Sequence, residues 1–174
     1  MINYMPKLVD RATYSGKPAR ARGRAGRATP EQVAAWQSLA RAMDAATRSQ
    51  EATLDGTGLD VGEYDVLVTL ASAPDEGMRP TEITERALIT KSGMTRLLQR
   101  LEERQLVERR ACPTDRRGQL LGLTAAGRHL LRRAAPGVMR GLGNLMADLS
   151  PSDLATLTRA MERMTEAATA HSSE

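Results

Sequence analysis

Apolar residues recur at helical spacing through most of the chain. Val33, Trp36, Leu39, Ala40 and Met43 are separated by intervals that place them on one face of a helix. Thr29-Pro30-Glu31-Gln32 precedes them. It supplies an N-cap, a proline at the first helical position, an early acid and a capping-box glutamine, so a helix is predicted to begin there. The pattern runs to about Leu54, where Gly56-Thr57-Gly58 breaks it. A second helix follows, with Tyr64, Leu67, Val68 and Ala71 on one face. Pro74 to Pro80 reads as a loop, and Thr81 to Ala87 as a short helix with Ile83 inward.

Met94, Leu97, Leu98 and Leu101 then sit at i, i+3, i+4 and i+7, one continuous apolar stripe. The opposite face is Lys91, Ser92, Thr95, Arg96, Gln99 and Arg100, with no acid before Glu102. Solvent-facing helices usually mix both signs. This one presents groups that donate to phosphates and base edges, as a recognition helix does. Leu106 to Arg110 and Leu120 to Leu123 read as two strands joined by a polar loop over 111–119, which makes a hairpin with a basic tip. Thr124 caps a further helix with Leu130, Leu131, Val138, Leu142 and Leu145 on its apolar face. That helix is expected to kink at Pro136-Gly137 and to end near Leu149. A last helix opens at Ser150-Pro151-Ser152-Asp153 and packs through Leu154, Leu157, Met161 and Met164. The fold class is mainly α with a small β-hairpin: a winged helix-turn-helix lobe (61–123) within a helical frame (30–55 and 125–170). Residues 29–174 are read as a single domain.

A chain of 174 residues suffices for one domain with a proper core. It has no apolar run long enough to cross a membrane, and Met1 to Asp10 lacks the apolar stretch of a signal peptide, so a cytoplasmic bacterial protein that binds no membrane is expected. Cys112 stands alone, and His129 and His171 form no metal-ligand spacing, so neither disulfide, metal nor cofactor is expected. Charge changes the picture more. Residues 1–30 carry Lys7, Arg11, Lys17, Arg20, Arg22, Arg24 and Arg27 against Asp10 alone, and residues 79–117 carry ten bases to six acids, in a chain otherwise acidic. That distribution is the footprint of a polyanion binder. From Ser15 to Ala28 the sequence is largely Gly, Pro, Ala and Arg without apolar periodicity, so residues 1–28 are expected to be a disordered arm. Arg20, Arg22, Arg24 and Arg27 would attract phosphates nonspecifically. Arg22-Gly23-Arg24 resembles the core of an AT-hook, but without the flanking prolines.

Five segments in register resemble the multiple antibiotic resistance regulators, the MarR family. They are Pro80-Thr81-Glu82-Ile83; Ser92-Gly93-Met94-Thr95-Arg96-Leu97-Leu98 followed by Leu101-Glu102; Leu106-Val107-Glu108-Arg109; Asp115-Arg116-Arg117-Gly118; and Leu123-Thr124-Ala125-Ala126-Gly127. The resemblance implies a homodimer held by its terminal helices, with two winged lobes set in successive major grooves of a palindromic double-stranded operator. It places Ser92, Thr95 and Arg96 in the groove and makes Asp115 the acid that orients the wing arginine, Arg117. Thr81, Lys91, Gly93, Gln99, Arg100 and Arg116 complete the expected DNA-binding set. Repression relieved by a small-molecule effector is the family's habit. Gln105 departs from the family, which usually has a glycine there, and the basic arm is longer than the family core requires.

Trp36, Met43, Tyr64 and Met139 could line an effector pocket, or be core. Cys112 could be a redox-sensitive thiolate among Arg109, Arg110, Arg116 and Arg117, or an incidental loop cysteine. An enzyme is the rival class, but the chain shows no nucleophile–base set and no glycine-rich phosphate loop, so none is expected. A winged helix that binds only protein is the other alternative, yet such a module has no need of Lys91, Arg96, Arg100 and Arg117 on adjacent elements.

Overall fold

In the computed structural model, residues 27–74, 76–87, 91–112 and 115–171 are described, with the side chains of Lys91, Ser92, Asp115, Arg116, Arg117 and His171 excepted. Along them run α1 (Pro30–Leu54), α2 (Val61–Ala71), α3 (Pro80–Arg86), α4 (Lys91–Glu103), β1 (Val107–Cys112), β2 (Asp115–Leu123), α5 (Ala125–Leu145) and α6 (Pro151–His171). They divide into two compact units, one of residues 34–148 and the other drawn from the two ends of the chain.

Local chemistry sets the helix starts in the end-derived unit. The Thr29 amide donates to Gln32 Oε1 at 2.9 Å and the Gln32 amide to Thr29 Oγ1 at 3.3 Å, the reciprocal box expected from sequence. At α6 the Asp153 amide donates to Ser150 Oγ and the Ser150 amide to Asp153 Oδ2. The Ser150 hydroxyl also donates to that carboxylate and holds its pKa below the ordinary aspartate value.

The 34–148 unit carries the core. Val66, Leu67, Ile83, Leu101 and Leu121 have no exposed surface, and Met94, Leu97 and Leu98 are buried beside them. Each such side chain contributes about 1.5–3 kcal/mol on leaving water. The apolar stripe predicted for 94–101 is therefore the face that seats α4. Val107, Leu121 and Leu123 from the hairpin and Leu131, Ala134 and Val138 from α5 close the same cluster.

Three features differ from expectation. The 74–80 loop is pinned: Met78 exchanges backbone hydrogen bonds of 2.9 and 2.8 Å with Leu121, adding a bridge to the outer edge of β2. Gly77 makes this approach possible, with φ +105 and a hypothetical Cβ only 2.6 Å from Leu121 O. The strands also extend through much of the segment expected to be loop, with an irregular register between Ala111 and Cys112. Backbone pairing needs no apolar alternation, so the polar sequence concealed it. Finally, α5, which contains Pro136, ends at Leu145 and not near Leu149. Pro136 is exposed, while Ala134 and Val138 on either side are held in the core.

The chain leaves α4 through a tight junction. The Gln105 amide donates to Glu102 O at 2.8 Å and the Leu106 amide to Leu101 O at 2.9 Å, the paired bonds of a Schellman motif. The motif requires a left-handed residue, and Gln105 supplies it with φ 57. Thr124 then grips the turn. Its hydroxyl donates to Gln105 O at 2.7 Å and accepts the Gly127 amide at 3.0 Å as the N-cap of α5. A Cβ on Gly127 would lie 2.1 Å from Leu106 O, so only glycine fits.

Left-handed backbone costs a side-chain-bearing residue about 1–2 kcal/mol, part of which glycine returns as chain entropy. Gln105→Gly is therefore expected to stabilise the protein by about 0.5–1 kcal/mol. Gly127→Ala is expected to destabilise it by about 1–3 kcal/mol or more. Urea titration followed by circular dichroism checks both signs.

Candidate nucleic-acid interface

With its apolar stripe buried, α4 presents Thr95, Arg96 and Gln99 outward, all exposed, and Gly93 half-buried in its first turn. Among the described residues Arg96 makes no ion pair, and Gln99 donates to Glu103 Oε1 at 2.9 Å. Lys91 and Ser92 occupy the first turn of α4, and their side chains lie outside the described set. Before α4 stands α3, anchored by fully buried Ile83, with Thr81 exposed on its first turn. The Arg79 amide donates to Glu82 Oε2 at 3.2 Å and so starts α3. The hairpin supplies Asp115, Arg116 and Arg117 on β2, again without described side chains. The two elements expected to meet DNA are thus adjacent in one unit. In the arm, Arg27 is exposed just before α1, while Arg20, Arg22 and Arg24 lie outside the described residues.

The remaining arginines near α4 are engaged within the fold. Arg100 NH2 lies 2.8 Å from Asp60 Oδ2 and its Nε 3.5 Å from Glu63 Oε1. Arg104 NH1 lies 2.8 Å from Glu63 Oε2, and its NH2 donates to Gly58 O at 2.8 Å. Arg100, expected on the DNA face, therefore turns toward α2, because a buried carboxylate stands within its reach. Sequence reading missed Glu63. Its signal was the Asp60-x-x-Glu63 box that caps α2, but nothing in the pattern showed that the carboxylate is also buried, with 4% of the residue exposed. Arg109 reaches Glu102 Oε1 at 2.8 Å and donates to Gln119 Oε1 at 2.9 Å, and Arg110 pairs with Glu108 at 2.8 Å.

Cys112 is buried at the end of β1 with Arg79 NH2 3.8 Å from its sulfur. The four residues considered for an effector pocket differ in burial. Trp36 and Met43 are 63% and 61% exposed and Met139 is exposed, whereas Tyr64 is buried in the core. Burial, followed by the charge of Asp65, raises the Tyr64 hydroxyl pKa above its ordinary value. A cavity of about 120 Å³ between α1 and α5 is lined instead by Ala46, Ser49, Gln50, Thr53, Val138, Gly141, Leu142 and Leu145. Among the described residues no cluster of His, Cys, Asp or Glu could hold a metal ion, and no helix is long and apolar enough to cross a membrane.

A helix-turn-helix followed by a two-stranded wing defines the class: a winged helix-turn-helix protein. Residues 57–118 match the model of the MarR family. Sco3205 of Streptomyces coelicolor, a MarR family transcriptional regulator solved in complex with DNA, is 32% identical. It superposes with a TM-score of 0.74 over 80% of this chain and 89% of its own. A Thauera aromatica protein named for regulation of the hcr operon is 31% identical over 72% of this chain and 75% of its own length. The repressor YetL of Bacillus subtilis is 32% identical over 56% of this chain, and the match spans 59% of YetL. The chain belongs to the MarR family, whose members are transcriptional regulators and not enzymes.

Exposed, unpaired side chains contribute little to stability, so Arg96→Ala is expected to change the unfolding free energy by less than about 0.5 kcal/mol. Glu63→Ala strips a buried carboxylate from two guanidinium groups. Because both arginines are partly exposed, the expected loss is about 2 kcal/mol, below the value for a fully buried pair. Thermal melts of the two variants read the contrast.

Proposed function

We propose that this protein is a sequence-specific double-stranded DNA-binding transcriptional regulator, a repressor that binds an inverted-repeat operator as a homodimer and releases it on a small-molecule signal. The observation that carries the reading is the α4 face: Thr95, Arg96 and Gln99 stand outward, directly opposite a buried apolar stripe. An arginine so placed can meet a guanine edge through both of its terminal nitrogens. Thr81, Lys91, Ser92 and Gly93 flank that face, and Asp115, Arg116 and Arg117 form the wing contact, with Arg117 directed to the neighbouring minor groove. The DNA complex of Sco3205, at 32% identity, supports this assignment.

The homodimer is supported by apolar side chains left in water. Trp36 and Met43 on α1, Met139, Leu142 and Leu145 on α5, and Leu154, Leu157 and Met164 on α6 are all exposed. Apolar surface on this scale is the mark of an interface. Trp36, Met43 and Met139 are assigned to it in place of an effector pocket. The arm, including Arg20, Arg22, Arg24 and Arg27, adds nonspecific phosphate attraction, and residues 29–174 act as one functional domain. A DNA-binding regulator of this kind works in the cytoplasm, on the nucleoid.

Gel-shift titration against the DNA upstream of the protein's own gene, at two salt concentrations, tests the reading. Arg96→Ala is expected to lower operator affinity by about 1–3 kcal/mol, with a far smaller effect on random DNA, whereas Arg117→Ala lowers affinity while keeping the central sequence preference. Equal loss on both DNAs for Arg96→Ala would remove it from base readout. Footprints should show two symmetric half-sites about one helical turn apart.

The dimer makes a separate prediction. Sedimentation at micromolar concentration is expected to give twice the chain mass, and the interface should bury roughly 2,000 Å² or more. Leu157→Glu, which sets a charge on the exposed α6 face, should shift the protein toward monomer and weaken operator binding. A wild-type monomer would overturn the assembly.

A further inference from the structure

We propose that Glu63 and Arg104, assisted by Asp60 and Arg100, are positioning residues for DNA recognition, fixing the pose from which α4 offers Arg96 to the bases. This rests on the reading of α4 as the recognition helix. The Glu63 carboxylate is almost wholly buried, yet three groups from three places converge on it. Arg104 NH1 lies 2.8 Å from Oε2, Arg100 Nε 3.5 Å from Oε1, and the Asp60 amide donates to Oε2 at 3.2 Å. Arg104 also donates to Gly58 O, and Arg100 pairs with Asp60 Oδ2. One carboxylate thereby joins the α1–α2 turn, the start of α2 and the last turn of α4.

The geometry makes the join directional. A buried carboxylate without its cations is strongly unfavourable, so Glu63 favours the pose of α4 that brings Arg100 and Arg104 to it. Arg96, Arg100 and Arg104 follow one another at four-residue intervals, a single row along α4 whose last member lies just past its end, with the Arg104 amide still donating to Arg100 O. At the helical rise, Arg96 stands about 6 Å along the axis from Arg100 and about 12 Å from Arg104. The lower two members of the row are anchored to α2, and the uppermost makes no ion pair among the described residues. A change at the anchor therefore moves the reading side chain, and a two-pronged contact to a base edge tolerates little displacement.

Bulk charge predicts the opposite sign, which makes the inference testable. Glu63→Gln removes a negative charge from a DNA-binding unit. By electrostatics alone it should tighten all DNA. If Glu63 positions α4, it should weaken the operator selectively. The measurement is operator and random-sequence affinity for the full-length protein and for Glu63→Gln, Arg104→Gln, Arg100→Gln and Asp60→Asn across a salt series. Asp60→Asn keeps an equally good N-cap for α2. Each variant is melted in parallel.

Glu63→Gln and Arg104→Gln are each expected to lower operator affinity by about tenfold, the scale of one base contact, with random DNA within about twofold and the salt slope unchanged. The double variant should lose no more than either single one, because both changes release the same anchor. Tighter binding of both DNAs by Glu63→Gln overturns the proposal. So does a salt slope flattened by about one unit in Arg100→Gln or Arg104→Gln, which would mark a direct phosphate contact. Should Glu63→Gln melt below the assay temperature, Asp60→Asn decides: a selective operator loss supports the anchor, and wild-type selectivity refutes it. Failure of the wild-type protein to prefer its operator would instead defeat the DNA-binding reading itself.

Discussion

What α4 can offer to a partner depends on how the chain turns after it. Two carbonyls, Gln105 O and Leu106 O, are held by Thr124, and Gly127 packs against the second with no room for a methyl group. Four elements meet there: the end of α4, the start of β1, the end of β2 and the start of α5. A left-handed residue is required for the turn, and the chain meets that need with Gln105, a glutamine carrying the strain that glycine would avoid. The strain is tolerated because the surrounding bonds and the burial of Leu101 and Leu106 over-determine the conformation.

Arginine serves several ends within one lobe. Arg96 is exposed and without an ion pair among the described residues, Arg100 and Arg104 hold α4 to α2, and Arg109 and Arg110 tie the hairpin to itself and to Glu102. The chemistry of the side chain is the same in every case. The decisive variable is whether a carboxylate lies within reach, and Glu63 reaches two of them because the core forces it inward. Net charge therefore overstates the cation available to a polyanion, and the exposed subset is smaller than the composition implies.

A similar division governs the apolar residues. Leu67, Ile83 and Leu101 vanish into the core, whereas Trp36, Met43, Leu157 and Met164 have the same helical spacing and remain exposed. Burial of the first group seats the winged lobe. Exposure of the second leaves the free energy of apolar contact available for association, which is why one chain can be well packed in one region and incomplete in another.

Periodicity and capping chemistry were enough to predict the helices, their order and several of their starts. Thr29, Thr124 and Ser150 cap helices as expected because a cap is a contact between residues three apart, which sequence records directly. The outward face of α4 was legible for the same reason: Met94, Leu97, Leu98 and Leu101 define the buried side and so the opposite one. Tertiary structure alone decided the rest. The bridge between Met78 and Leu121, the burial of Cys112, the exposure of Trp36 and the turning of Arg100 toward Asp60 and Glu63 all join residues far apart in the chain. No local pattern encodes which distant carboxylate a guanidinium will find, because that is set by how the packed core brings helices together.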